Sequence, residues 1–215
     1  MAQQSTHSEP ALAAPEFESA AAELDTPDLT GYEPFVTHKE FTIYRRPREP
    51  LYEYKVVGVL AGIDPATCLA VYTDHQYRRT WDEYIKDIRA IPDTDGGHYC
   101  RIAYPWPLAH RDYVYWMRTR LLGDGDTQVS VTIGRCHHHP AFAEVKGVVR
   151  VDSYAQTLVM RKASGGTLGT QVFMEYFDDP KGHIPSWLIN WAAQKGVPAF
   201  LDQMHKACLN YPGRK

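Results

Sequence analysis

The chain has 215 residues, a formal net charge of −3 and a hydrophobic fraction of 44%. This length suits one domain with a substantial core, and the weakly acidic charge argues against a nucleic-acid-binding surface. The four cysteines include no Cys-x-x-Cys pair, so we interpret them as free thiols of a reducing compartment. Because no secretory signal pattern or apolar run of membrane-spanning length is present, the sequence predicts a cytoplasmic protein.

The N-terminal region changes character near Pro15. Residues 1–15 are rich in Ala, Gln, Ser and Pro, which favours a disordered tail. Pro15 suits the first turn of a helix. A helix is predicted from this point because apolar residues recur at helical spacing, namely Phe17, Ala20, Ala21 and Leu24.

Alternating apolar and polar residues then predict strands at 41–44 and 51–60. Asp64 and Pro65 predict the start of a helix, because a carboxylate caps the first turn and proline fits within it. A second helical segment is predicted at 76–84.

A run of strands separated by Gly- and Asp-rich turns follows, which is typical of an antiparallel meander. The segment 145–160 is predicted to form either one strand or two strands that separate near Asp152. The other predicted strands are 98–104, 112–121, 127–133 and 171–177.

The chain closes with an amphipathic helix. An antiparallel sheet and an amphipathic helix each have one apolar face to bury, so we expect the sheet to wrap around this helix. The predicted fold class is therefore α+β, in a single domain that spans residues 16–212. The apolar stripe of the helix consists of Val197, Phe200, Leu201, Met204, Cys208 and Tyr211.

Five long segments carry a resemblance to a known family. They are LYEYKVVGVL (51–60), YTDHQYRRTWDEY (72–84), YPWPLAHRDYVY (104–115), VFMEYFDDP (172–180) and IPSWLINWAAQKGVPAFL (184–201). Together they resemble START-domain lipid carriers, and the similarity extends over residues 30–212. The resemblance implies a helix-grip fold, in which a curved antiparallel sheet and a C-terminal helix enclose a lipid tunnel. It further implies a non-enzymatic carrier of one phospholipid, foremost phosphatidylcholine, without a cofactor and transiently associated with membranes. A protein partner such as a thioesterase is also implied.

Arg78 and Asp82 are four residues apart, so on a helix they share a face and can form an ion pair. By spacing alone this is an ordinary helical pair. The resemblance implies that Arg78 binds the lipid phosphate, which the forked guanidinium donors suit, and that Asp82 supports it. It also implies that Tyr72 contacts the ligand.

A choline group has no hydrogen to donate, so aromatic faces must hold it. The resemblance implies a cage that includes Tyr113 and Tyr154, with Gln156 as a polar contact on the same strand face as Tyr154. The third cage position, a tryptophan in the phosphatidylcholine carriers of the family, is Cys100 here, whereas Tyr99 should point to the opposite face. This departure leaves open a broader headgroup range that includes phosphatidylethanolamine.

Two segments are predicted to cover the tunnel. The proline-broken loop YPWPLAHRD exposes Trp106 and Leu108, which we expect to lie over lipid chains or to meet a bilayer. The apolar stripe of the last helix can close the tunnel, contact a membrane, or do both. Its lid residues are Val197, Phe200, Leu201 and Met204, and basic residues that suit anionic headgroups flank it at Lys195, Lys206, Arg214 and Lys215.

Other functional classes receive little support. The run Cys136 to His139 invites a metal site, but adjacent strand residues point to alternate faces and rarely close on one ion, so no metal is expected. No Ser-His-Asp or Cys-His arrangement can be assembled, which argues against an enzyme. A phospholipid sensor that signals through a protein partner remains an open alternative.

Overall fold

The computed structural model describes residues 13–140, 142–166, 168–182, 184–185, 187–188 and 192–213. The helices in these residues are α1 (Ala14–Ala22), α2 (Pro65–Thr73), α3 (His75–Trp81) and α4 (Val197–Leu209), the last preceded by a π-helical turn at Ala192–Gly196. The strands are β1 (Glu33–His38), β2 (Phe41–Arg48), β3 (Leu51–Ala61), β4 (Ile85–Ala90), β5 (Gly97–Ile102), β6 (His110–Leu122), β7 (Val129–Cys136), β8 (Val148–Val151), β9 (Tyr154–Lys162) and β10 (Gly169–Asp178).

The described strands form one sheet in the order β1-β2-β3-β10-β9-β7-β6-β5-β4. Neighbours in this order are antiparallel, as the sequence predicts. The short strand β8 is the exception, because it pairs in parallel with the first residues of β6, beyond the end of β7. The sheet is open, with β1 and β4 at its edges.

Side-chain alternation gives the sheet an outer and an inner face. On the outer face, Phe17 of α1 is 1% exposed and packs against Val159 and Phe173. The inner face packs against α2 and α4, where Leu158 and Val172 share a cluster with residues of both helices. The predicted α+β fold with the C-terminal helix against a curved antiparallel sheet is confirmed.

The helices that border the inner face begin at aspartate caps. The Asp64 carboxylate accepts a bond from Thr67 N at 2.8 Å, with Pro65 in the first turn of α2, as predicted. Asp74 caps α3 through Tyr77 N at 2.9 Å. Helix α3 is shorter than predicted, because Asp82 leaves the helical conformation at φ −87° and ψ 99°.

The remaining predicted elements are present with shifted ends. The segment 145–160 forms two strands that separate at Asp152, which is the second of the predicted alternatives. The edge strands β1 and β4 were not predicted. Helix α1 begins at Ala14, so the last two residues of the predicted tail are helical, and residues 1–12 of that tail lie outside the described residues.

Candidate functional site

Arg78 of α3 lies between two helices on the inner side of the sheet. Its guanidinium carbon is 5.6 Å from the ring centroid of Tyr72 in α2 and 5.9 Å from that of Phe200 in α4. Its Nε donates to Asp82 Oδ2 at 3.1 Å, so the predicted pair exists, and Asp82 is 3% exposed. No described residue bonds the two terminal nitrogens of Arg78. They are therefore available to a forked acceptor such as a phosphate.

The charge of Arg78 is maintained inside the protein. Burial by itself disfavours the charged guanidinium, but the Asp82 carboxylate and the surrounding hydroxyl and thiol groups together raise the pKa of Arg78 above its ordinary value. The side chain is 18% exposed, although aromatic rings surround it. The inner side of the sheet therefore carries a fixed positive charge whose side chain is partly accessible.

Tyr154 is the centre of a cluster of tyrosine rings on the inner face. It makes edge-to-face contacts with Tyr113 at 5.6 Å, Tyr115 at 5.5 Å and Tyr176 at 5.9 Å. Gly134 lies beside its ring, where an added Cβ would be 3.3 Å from the hydroxyl. Burial raises the pKa of all four tyrosines, so the hydroxyls stay protonated. Such neutral rings can bind a cation through their faces.

A chain of hydrogen bonds joins this tyrosine cluster to the region of Arg78. The Tyr154 hydroxyl donates to Gln156 Oε1 at 2.8 Å, and Gln156 Nε2 donates to the Tyr72 hydroxyl. The Tyr72 ring in turn lies beside Arg78. The structure thus brings together the residues that the sequence analysis assigned to the phosphate and to the ring cage.

Cys100 of β5 occupies the inner face at 6% exposure and packs in one cluster with Tyr113 and Tyr115. Burial raises the pKa of this thiol to about 12, so it carries no charge at neutral pH. Tyr99 points to the outer face, where it packs with Trp116, as strand alternation predicts. Cys100, which stands where the resemblance implies a tryptophan, therefore supplies neither an aromatic ring nor a charge.

Three further inner-face residues lie near this cluster and were not predicted from the sequence, namely Tyr115, Tyr176 and Asp178. Each lies two positions from another inner-face residue on its strand, so alternation could have grouped them. Asp178 Oδ2 accepts a hydrogen bond from Tyr113 at 2.8 Å. Burial raises the pKa of Asp178, and hydrogen bonds from Tyr113 and Tyr176 oppose this shift.

Two histidines lie close to this region. The rings of His75 and His98 are in T-shaped contact at 4.5 Å, and His98 is 5.4 Å from the ring of Tyr115. Burial is the main cause that lowers the pKa of His98 to about 4, and repulsion from His75, when that ring is protonated, and from Arg118 adds to it. Burial and the Arg78 charge also lower the pKa of His75. Both rings are therefore neutral at pH 7.

We expect His98 to make the protein less stable in mild acid. Its pKa is 6.5 in the unfolded chain and about 4 when folded, so the unfolded state binds more protons between these values and stability falls as the pH falls. From pH 7 to pH 5 this loss is on the order of 2 kcal/mol. The variant His98→Gln should lose less unfolding free energy over this range in urea titrations. His138→Gln, a change of an exposed histidine, is the control, and equal losses in all three proteins would contradict the assignment.

Helix α4 closes the inner side through apolar packing and exposed polar bonds. Leu201 and Met204 pack into the inner cluster, and the Phe200 ring is 5.8 Å from that of Trp81. Asp202, which is 47% exposed in its side chain, accepts a bond from Lys39 at 2.6 Å. Exposed pairs contribute at most about 1 kcal/mol each. Three further polar bonds hold the helix, because the Tyr77 hydroxyl donates to Ala207 O at 2.9 Å, Gln203 Nε2 donates to Glu83 at 2.8 Å and His205 Nε2 donates to Ala61 O at 3.0 Å. Val197, the fourth predicted lid residue, is partly buried.

The loop before β6 exposes a large aromatic ring. Trp106 is 90% exposed, whereas Leu108 is partly buried. Trp187, from the segment before α4, is 49% exposed. In the described part of the chain, no helix combines the length and apolar character needed to cross a membrane.

The histidine run after β7 packs on the outer face. The His137 ring stacks on Trp116 at 4.4 Å, and His139 lies 6.4 Å from the same ring. Cys136 Sγ donates to Val151 O at 3.3 Å. Among the residues that the structure describes, no three potential metal ligands come together.

A sheet that grips a C-terminal helix, with a partly buried arginine and tyrosine rings between them, defines a protein of the helix-grip class. A model of the START domain matches residues 35–215, and the chain belongs to this family. The family predicted from the sequence is thereby confirmed.

The relatives and solved structures agree with this assignment. The chain is 46% identical over 201 residues to the mouse phosphatidylcholine transfer protein, which covers 91% of this chain and 93% of that protein. It is 42% identical over 202 residues to the human phosphatidylcholine transfer protein, with the same coverage. The crystal structure of human STARD10 has the same fold, with a TM-score of 0.80 at 21% identity over 96% of this chain and 84% of that chain.

Proposed function

We propose that this protein is a non-enzymatic carrier that binds one phospholipid, foremost phosphatidylcholine, and moves it between membranes through the cytoplasm. The observation that carries the proposal is Arg78, whose side chain is 18% exposed and whose terminal nitrogens are not bonded by described residues. It lies beside the ring of Tyr72, near the cluster of neutral tyrosine rings. The similarity to mammalian phosphatidylcholine transfer proteins supports the choice of headgroup.

The headgroup is bound in two parts. The phosphate accepts hydrogen bonds from the terminal nitrogens of Arg78, which Asp82 orients through Nε. The choline rests against the rings of Tyr113 and Tyr154, and each desolvated cation–π contact contributes up to about 2 kcal/mol. Gln156 is held between the two parts by its bonds to Tyr154 and Tyr72.

The acyl chains occupy the space between the inner face and α4. Each methylene that leaves water contributes about 0.8 kcal/mol. Because the lipid leaves one bilayer and enters another, the protein interior has only to be as favourable for the acyl chains as the bilayer is. The inner-face side chain of Met174 retains accessible surface although it packs against the cluster that includes α2 and α4, which supports room for a guest. Release requires α4 to separate from the sheet at a membrane.

The proposal is tested with the purified protein and vesicles that contain phosphatidylcholine. Native mass spectrometry is expected to show one intact phospholipid per chain, and labelled lipid should move from donor to acceptor vesicles in proportion to protein concentration. Failure to load any phospholipid would reject the carrier function. Recovery of chemically altered lipid would instead indicate an enzyme.

A broader headgroup range is the second candidate. It is favoured by Cys100, which places a small neutral thiol where the resemblance implies a tryptophan of the ring cage. Loading of phosphatidylethanolamine at a level comparable to phosphatidylcholine would support it. The protein partner, including a thioesterase, stays a prediction from the resemblance.

A further inference from the structure

The last residue of β10, Asp178, carries a carboxylate beside the tyrosine cluster. In the antiparallel pairing of β9 and β10, Asp178 lies directly opposite Tyr154, and Tyr176 lies opposite Gln156. Side chains in such positions are close neighbours, with Cβ atoms about 5 Å apart. The Tyr113 hydroxyl donates to Asp178 at 2.8 Å, which fixes the carboxylate against the same rings that surround Tyr154.

No cation among the described residues forms an ion pair with this carboxylate. The charge of the buried Arg111 guanidinium acts on Asp178 from a distance and lowers its pKa. The donors of Arg111 bond instead to the backbone oxygens of Ala109, Pro180 and Lys181. The Lys181 ammonium pairs with Asp152 and Asp179. Asp178 therefore has hydroxyl donors but no direct ion-pair partner among the described residues.

A carboxylate in a mostly buried, ring-lined position is costly unless a cation compensates it. Burial raises the pKa of Asp178 and outweighs the hydrogen bonds from Tyr113 and Tyr176 and the more distant charge of Arg111, which lower it. The compensating charge can come from a ligand, because Asp178 retains some accessible surface and its carboxylate bonds to Tyr113 of the inner face.

The positions of the two charges match a zwitterion. Arg78 lies at one end of the hydrogen-bonded chain formed by Tyr72, Gln156 and Tyr154, and Asp178 is the cross-strand neighbour of the other end. A phosphate on Arg78 would thus direct the attached amine towards Asp178. The negative charge of Asp178 would also disfavour a headgroup that carries the phosphate but no cation.

We propose that Asp178, held by Tyr113, binds the cationic nitrogen of the phospholipid headgroup and selects zwitterionic lipids over lipids without a cation. The inference rests on the proposed phospholipid carrier. The carboxylate attracts a quaternary ammonium and a primary ammonium alike, so it serves choline and ethanolamine lipids where Cys100 leaves the ring cage incomplete. Phosphatidylglycerol, which has the phosphate but no amine, is rejected.

The test is competitive loading from vesicles with equal amounts of phosphatidylcholine, phosphatidylethanolamine and phosphatidylglycerol, measured by native mass spectrometry. The wild type is expected to prefer each amine lipid over phosphatidylglycerol by about 10-fold or more, the size of one good charge contact. Asp178→Asn keeps the acceptor for Tyr113 and should reduce this preference about 10-fold. Asp179→Asn removes a neighbouring carboxylate that pairs with Lys181 and should retain it.

Each outcome separates this inference from the carrier function. A wild type that loads phosphatidylglycerol as readily as phosphatidylcholine overturns the role of Asp178, whether or not the variant folds. A folded Asp178→Asn protein that keeps the preference, or that loses all three lipids equally, also overturns it. If the wild type loads no phospholipid, the carrier function itself fails. Arg78→Gln, in contrast, should lower the loading of all three lipids by a similar factor.

Discussion

Replacement of Arg78 by glutamine is expected to lower phospholipid loading and vesicle-to-vesicle transfer by about 100-fold or more. Two charge-assisted bonds from the terminal nitrogens contribute about 3 kcal/mol or more to phosphate binding. Glutamine preserves part of the side-chain volume but has neither the charge nor the fork. Transfer of labelled phosphatidylcholine, with thermal unfolding measured in parallel, checks the prediction.

Arg79 provides a matched control one residue away. Its side chain is 49% exposed and bonds to Asp87 and to Ile88 O, away from the inner face. Arg79→Gln should therefore transfer lipid at close to the wild-type rate. Arg78→Lys keeps the charge without the fork and should be intermediate. Wild-type transfer by a folded Arg78→Gln protein would reject the phosphate assignment.

Replacement of Trp106 by alanine is expected to slow transfer about 10-fold or more without changing the amount of lipid bound at saturation. A tryptophan ring that is 90% exposed in the free protein gains about 1.5–3 kcal/mol when a bilayer removes it from water. The loss should therefore be seen as weaker flotation with vesicles and a lower transfer rate. Native mass spectrometry of the loaded protein should give the same lipid occupancy as the wild type.

Leu121 is the control for nonspecific apolar adhesion. It is 57% exposed, but it lies at the opposite end of β6, roughly 35 Å from the start of that strand at the rise of an extended chain. Leu121→Ala should leave flotation and transfer unchanged. Equal effects of the two substitutions would show that the loop before β6 is not the membrane contact.

Local chemistry was sufficient to predict most of the elements. The Asp64–Pro65 start of α2 and the apolar stripe of α4 depend on neighbours within four residues.

The missed strands β1 and β4 are the two edges of the sheet. An edge strand has one partner, and β1 contains Pro34, so its pattern is weaker than that of a central strand. The end of α3 was misplaced because Asp82 bonds to the backbone of Tyr84 instead of continuing the helix.

The sequence by itself determined the family, the helix and strand pattern and the pairing of Arg78 with Asp82, since these depend on local spacing or on long matching segments. Only the tertiary structure placed Asp178 opposite Tyr154 and left the terminal nitrogens of Arg78 without a protein partner among the described residues. Alternation along a strand says which side chains share a face, but not which face is inner or which residue lies across from it. Those relations depend on the register between β9 and β10, which is set by contacts between residues distant in the chain.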